Sequence, residues 1–398
     1  MVASPLALLA VAAERTPDLV ELLGGPLVDR VPGYILWPAL MLAAAGIITG
    51  FITVFDLFAV WLERKVSARI QCRLGPMEVG PIRLGTKTYV GGLLQTIADG
   101  VKLLAKEDII PAAADRPLYI AGPIIVFLGV FGLFVVLPYG PDIIVTDLDI
   151  GLFYLAAIGS LEAIGVMASG WASNNKWSLF GTMRAATQVV SYEIPLSLAF
   201  LTVIVLAGTF SMQRLVHTQG GWFWNWYIFA NPFTFISFFI FFTAALAQVK
   251  RAPFDLPEAE SELVSGFHTE YSGMRFSIFF LSEYAAMYAI AAIAAVLYFG
   301  GWMTGIGPVD RWMTEASGGA RVLANVVGLL AIVGKSIFGV FVQMWLRWTL
   351  PRIRLDQVMH LCLKVLLPFG IVCMIGAALW EYFLPGHVLW FVPGVRPH

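Results

Sequence analysis

Apolar residues gather into stretches near 37–62, 118–138, 151–172, 189–209, 230–249, 276–299, 323–346 and 361–384. Each is long enough, at about 20 residues, to cross a hydrocarbon core of roughly 30 Å as a helix. Backbone groups in lipid have no water to turn to, so these stretches predict helices and not strands of an open sheet. The expected fold is an all-α integral membrane protein, a bundle of about eight transmembrane helices. A single transmembrane domain over 34–385 is expected, with a peripheral N-terminal segment over 1–33 and a C-terminal tail over 386–398. The opening MVASPLALLAVAA lacks the basic region of a signal peptide, and Pro17 and Pro26 follow before any full span.

Composition agrees with a lipid-solvated chain. Of 398 residues, 59% are hydrophobic and 13% charged, with a mean hydropathy of +0.80, whereas a soluble domain carries about 25% charge. Most lysines and arginines fall in the connections 63–117, 173–188, 250–275 and 347–360, while the other side carries Arg15, Arg30, Arg214, Arg311, Arg321 and Arg396. The positive-inside rule makes the first face cytoplasmic, or the matrix face of an organelle, and puts both termini outside. The net charge of -1 and the absence of a Lys/Arg block with interleaved aromatics give no reason to expect nucleic acid. Cys72, Cys362 and Cys373 form no CxxC pair, and none of the five histidines stand at i,i+3 or i,i+4. No disulfide framework, iron–sulfur ligand set, haem or other metal site is expected.

Charge inside the spans is the sharpest chemical signal, because an ionisable group at a helix centre costs roughly 3 kcal/mol on insertion scales. Asp56, Glu162, Glu193, Glu283, Lys335 and Glu381 are such groups. Asp56 and Glu381 sit near span ends, where a structural role competes evenly with a functional one. Glu162, Glu193, Glu283 and Lys335 lie deeper and suggest a buried polar file. Pro195 follows Glu193 and frees a backbone carbonyl nearby, against the plainer reading of a packing kink.

The connection KRAPFDLPEAESELVSGFHTEYSGMR brings a second acidic cluster. Asp255 with Pro257 and Glu258 reads as a helix start, with Glu258 and Glu262 sharing a face of the helix that follows and Glu260 pointing elsewhere. A solvated acidic helix would account for that much. Four carboxylates within 255–262, beside a span bearing Glu283, would instead repel one another and hold protons more tightly. In the first loop, GGLLQTIADGVKLLAKED spaces Leu94, Ile97, Val101 and Leu104 as the apolar side of an interfacial helix.

ERKVSARIQCRLGP (63–76), IADGVKLLAKEDIIP (97–111), GWASNNKWSLFGTMRAATQVVSYEIPL (170–196), RAPFDLPEAESELVSGFHTEYSGMRFSIFFLSEYA (251–285) and LRWTLPRIRLDQVMHLCLKVLLP (346–368) resemble the NuoH-type membrane subunit of respiratory complex I, NADH:quinone oxidoreductase, over about residues 50–370. The resemblance implies a subunit that forms the floor and entrance of a quinone chamber and couples quinone reduction to proton translocation. Quinone would be its substrate at the interface with peripheral subunits, with no cofactor bound covalently or by metal ligation. It implies quinone-binding roles for Arg64, Lys65, Arg69, Gln71, Arg73 and Arg184, with Gly75 in the same chamber loop, and proton-carrying roles for Glu162, Glu193, Asp255, Glu258, Glu260, Glu262, Glu270 and Glu283, with Tyr192 beside Glu193. Arg347, Arg352, Arg354 and Asp356 match a basic loop on the same face. Partners implied are the peripheral quinone-chamber and terminal iron–sulfur cluster subunits, the small and antiporter-like membrane subunits, and the lipid bilayer. The setting implied is a bacterial inner membrane, with the mitochondrial inner membrane as the other choice.

Two departures stand out. PIRLGTKTYVGG lengthens the chamber loop, and Gln248 stands seven residues before Asp255, where the family commonly has a carboxylate. Glu162 is then expected to replace the missing acid, against the alternative that it pairs with Lys335 or a neighbouring helix. Other readings of the whole chain are the homologous subunit of an energy-converting hydrogenase or of a dehydrogenase with another donor, a stand-alone ion transporter, and a structural anchor.

Overall fold

A computed structural model describes residues 33–80, 82–84, 87–258, 260–384, 387–388 and 392–393. The expected segment 1–33 and tail 386–398 therefore lie almost wholly outside the described residues. Seven described helices are long and apolar enough to cross a membrane: α1 (Gly33–Ile70), α3 (Arg116–Val135), α4 (Gly151–Ala172), α5 (Lys176–Ala207), α9 (Gly273–Tyr298), α11 (Gly319–Thr349) and α12 (Leu355–Phe383). The remaining expected span is α7 (Pro232–Gln248), apolar but only 17 residues long, or about 26 Å at 1.5 Å per residue. Shorter helices are α2 (Gln95–Ala105), α6 (Met212–His217), α8 (Glu260–Leu263) and α10 (Gly307–Glu315). The lengthened first loop forms a small hairpin, with β1 (Ile82–Leu84) antiparallel to β2 (Lys87–Val90).

Helix ends follow local chemistry. Asn231 caps α7 by accepting from Thr234 N while the Thr234 hydroxyl answers the Asn231 backbone, and Pro232 takes the first turn, where no donor is needed. Asn175 caps α5 through Trp177 N, and Gly208, left-handed at φ 65°, ends it. At 38 residues α1 spans about 57 Å, so its last turns, carrying Arg64, Lys65 and Arg69, stand beyond the hydrocarbon.

The core centres on α9, whose apolar window is 83% buried against α1, α3, α7 and α11. A second group joins α5 to α4, α7 and α12, while α3 binds tightly along α4. In contrast α1, α11 and α12 bury under a third of their windows. Their outward leucines, valines and phenylalanines face lipid or other apolar surface.

One local expectation is corrected. The acidic helix expected to start at Asp255 is a single turn, Glu260–Leu263, and Glu258 lies before it in a bend. Gly266 explains the difference: at φ 57° it lies so close to Pro257 and Glu258 that a Cβ would overlap the Pro257 carbonyl. The chain is pinched shut there, which turns Glu258 inward while Glu262 stays exposed.

Candidate functional site

Where α7 ends, two consecutive cations leave the backbone in different directions. Lys250, left-handed at φ 58°, reaches 2.8 Å to Glu162 on α4, with both side chains under a tenth exposed. Arg251 is almost fully enclosed and donates from Nη1 to both Glu63 oxygens, at 3.0 and 2.8 Å. Its Nε stands 2.5 Å from Glu283 of α9, a close ion pair without hydrogen-bond alignment, and its guanidinium lies over the Tyr284 ring at 4.4 Å. Arg347 of α11 adds a second cation to Glu63 at 2.5 Å. Unpaired ions would cost several kcal/mol each in such surroundings, so the charges are tolerable only as a set.

Two cavities are lined by members of this set, and another lies along α4 and α5 nearby. Glu162, Lys250, Glu258 and Glu283 line one of about 20 Å³, room for roughly a single water. Next to it, Tyr192, Glu193, Gln248 and Gly159 line one of about 450 Å³. Tyr192 is within electrostatic reach of both Glu162 and Glu193, and the Gln248 amide rests on Gly159, one turn before Glu162. The third, about 480 Å³, opens between α1, α2 and α9 among Leu57, Val60, Leu103, Phe276 and Phe280. Its polar points are Asp56, Arg64, Asp99 and Lys102. Arg64 pairs with Asp99 at 2.6 Å, while buried Asp56 has no hydrogen-bond partner for either oxygen.

Other residues singled out in the sequence lie elsewhere. Lys65 donates to the Pro76 carbonyl at 2.6 Å and holds the first loop; Arg69, Gln71 and Arg73 are exposed, with Arg73 donating to Gln71 at 2.7 Å. Arg184 pairs with exposed Glu262 at 2.6 Å, beside Arg352 and Arg354. Asp255 pairs with Arg352 at 3.1 Å. Glu270 accepts from Asn175 at 2.5 Å, and its carbonyl from Tyr119 at 2.7 Å. The Glu260 side chain lies outside the described residues. Lys335 does not meet Glu162. It donates to the carbonyls of Phe299, Gly301 and Met303 at 2.6, 3.0 and 2.6 Å.

Among loop groups, burial holds the Glu258 carboxyl well above its ordinary range, reinforced by Glu283 and Asp255. Burial, helped by Lys250, pushes the His268 imidazole down to about 3. Glu262 goes the other way, lowered by the hydrogen bond from Arg184. Among the described residues, no three His, Cys, Asp or Glu side chains are grouped to hold a metal ion.

Lys250, Arg251, Glu63 and His268 do not stand out in the sequence. Lys250-Arg251 reads as ordinary inside charge, and Glu63 as the start of a charged loop. The signal that could have found them is a cation pair set directly against an apolar helix end, with no room to snorkel.

Together these features define a polytopic membrane protein that confines acids beside an apolar cavity. The family described as NADH dehydrogenase matches residues 42–378. Over 360 residues the chain is 47% identical to the H subunit of NADH-quinone oxidoreductase from Chlorobaculum tepidum, covering 88% of this chain and 96% of that one. The corresponding H subunit of Anaeromyxobacter dehalogenans is 45% identical over 87% and 83% of the two chains. For the second H subunit of Cytophaga hutchinsonii the figures are 43%, 84% and 97%. The chain belongs to the NADH dehydrogenase family, alongside these membrane subunits.

Proposed function

We propose that this chain is the membrane subunit of a proton-translocating NADH:quinone oxidoreductase in a bacterial inner membrane. It forms the floor and entrance of the quinone chamber and passes protons through its buried acids. The peripheral quinone-chamber and iron–sulfur cluster subunits close the chamber from above, the other membrane subunits flank α1, α11 and α12, and the chain itself holds no redox cofactor.

One observation carries the reading. The apolar cavity that suits a quinone tail and the small cavity of acids share α9, and Arg251 ties them together through Glu63, Glu283 and Tyr284. A change of charge at the first is felt at the second, because Coulomb forces act strongly across an interior of low polarity.

Val60→Trp tests this by filling the apolar cavity. In the assembled complex it should raise the KM for quinone while NADH oxidation by an artificial acceptor at the flavin is unchanged. Unaltered quinone kinetics would overturn the assignment.

A further inference from the structure

Behind Phe267, which lines the small cavity, stands His268, a buried imidazole for which no hydrogen bond is formed. It is buried, with Phe267, Phe276, Phe279 and Phe280 around its ring at 4.1 to 6.4 Å between centroids. Its Nε2 stands 3.5 Å from Glu258 Oε1, and its Nδ1 is buried with no partner. The Gly266 pinch creates this pairing, since it holds Pro257 and Glu258 against the turn that carries His268.

A ring wanted only for its bulk would place no nitrogen beside an acid. A neutral imidazole both accepts and donates a proton, which no phenylalanine in that cage can do. We propose that His268 relays protons to and from Glu258, which extends the proton-passing role proposed above to a residue outside the acids. In one transfer the Glu258 O–H bond breaks and an Nε2–H bond forms, while the Nδ1–H bond breaks and its proton passes to water. The ring changes tautomer and carries no net charge before or after.

Charged and titratable groups facing the ring support this direction. Glu258 comes from the loop and Lys250 from the end of α7, while Glu283 lines the adjoining cavity from α9, next to Phe267. Burial and, after it, Lys250 keep the imidazole neutral at working pH, the form that can relay. The 3.5 Å gap is longer than a strong hydrogen bond, and proton-transfer contacts commonly tighten only during turnover.

The test uses the intact complex in proteoliposomes, with flavin-site NADH oxidation as the assembly control. His268→Asn keeps a polar group that donates and accepts but cannot relay, and His268→Phe keeps only bulk. Both should cut coupled proton translocation at least fivefold and alter its pH profile, and Glu258→Gln combined with His268→Asn should be no worse than Glu258→Gln alone. If His268→Asn pumps with the wild-type pH profile while Glu258→Gln is impaired, the relay is overturned and the proposed function stands. If Glu258→Gln also pumps normally, the proton-passing role of the acids falls with it. Should His268→Phe fail to assemble, His268→Asn still decides the matter.

Discussion

The two ends of the bundle bury charge in different ways. At the end away from the 250–275 loop, the buried charged groups are hydrogen-bonded, although Trp226 Nε1 and Asn231 Nδ2 have no partner. Asp142 accepts from Arg321 and Asn325, and Asp310 accepts from Thr304 and Gly305. Gln219 donates to two carbonyls and accepts from two amides, while Lys335 spends its three donors on carbonyls at the end of α9. At the 250–275 end, acids outnumber their partners: Glu63, Glu162, Glu258 and Glu283 share Lys250, Arg251 and Arg347, and Asp56 has no hydrogen bond. A saturated network fixes geometry, whereas an unsaturated one beside a cavity leaves protons and water room to move.

The largest expected effect breaks the cluster outright. Arg251→Met leaves Glu63 with Arg347 alone and takes from Glu283 its ion-pair partner, and removing one member of a buried pair costs about 3–5 kcal/mol. The complex should fail to accumulate on a native gel. Normal accumulation with an unchanged melting temperature would erase the distinction between the two ends.

Glu162→Gln should act on turnover rather than assembly, lowering coupled quinone reduction by roughly an order of magnitude or more, as expected when a positioned proton carrier is lost. Adding Gln248→Glu restores an acid beside Gly159 and should recover part of the rate. No recovery in assembled complex would show that Glu162 serves only to pair with Lys250.

At the saturated end, Lys335→Met orphans three carbonyls and should cost about 1–3 kcal/mol of stability, read as a lower melting temperature. Protons pumped per electron should stay unchanged. A changed ratio would place Lys335 in the proton path and collapse the contrast from the other side.

The smallest effects concern acid. His268 is lowered from its ordinary value near 6.5 to about 3, so below about pH 6.5 the unfolded chain takes up a proton that the native site refuses. Its contribution to stability is full above that pH and drains away as pH falls toward 3. Asp142 has its carboxyl pulled below the ordinary range despite burial, because Arg321 and Asn325 hydrogen bonds outweigh it. Its contribution is kept until the pH drops through the acidic range of an unfolded aspartate, near 3.9. Glu258, held above its ordinary range at the same end, works the other way and gains stability as pH falls; the His268 share is therefore read from the variant, and His268→Asn should flatten the loss of melting temperature between about pH 6.5 and 3.

Much of this was legible in the sequence because lipid imposes a simple rule: every long apolar run became a helix. Only α7, bounded by Asn231-Pro232 and Lys250, came out shorter than a full span. Glu162, Glu193 and Glu283 could be picked out because charge is rare inside an apolar run. Charge in a loop carries no such contrast, so Lys250 and Arg251 pass as ordinary inside residues and Glu262 cannot be told from Glu258. Which of those two acids turns inward depends on contact between positions 257–258 and 266, and periodicity along a linear chain cannot report that.

Consider finally the seam between α3 and α4 in terms of inheritance. A Cβ at Gly129 would lie 2.7 Å from the backbone nitrogen of Glu162 and 3.2 Å from its Cα. The methyl group of alanine, uncharged and harmless in most helices, would push α4 away at the very turn that aims a carboxylate at Lys250. In a screen for defective alleles, Gly129→Ala should therefore surface among changes that spare NADH oxidation at the flavin and cripple coupling, although codon 129 specifies nothing that could ever hold a proton.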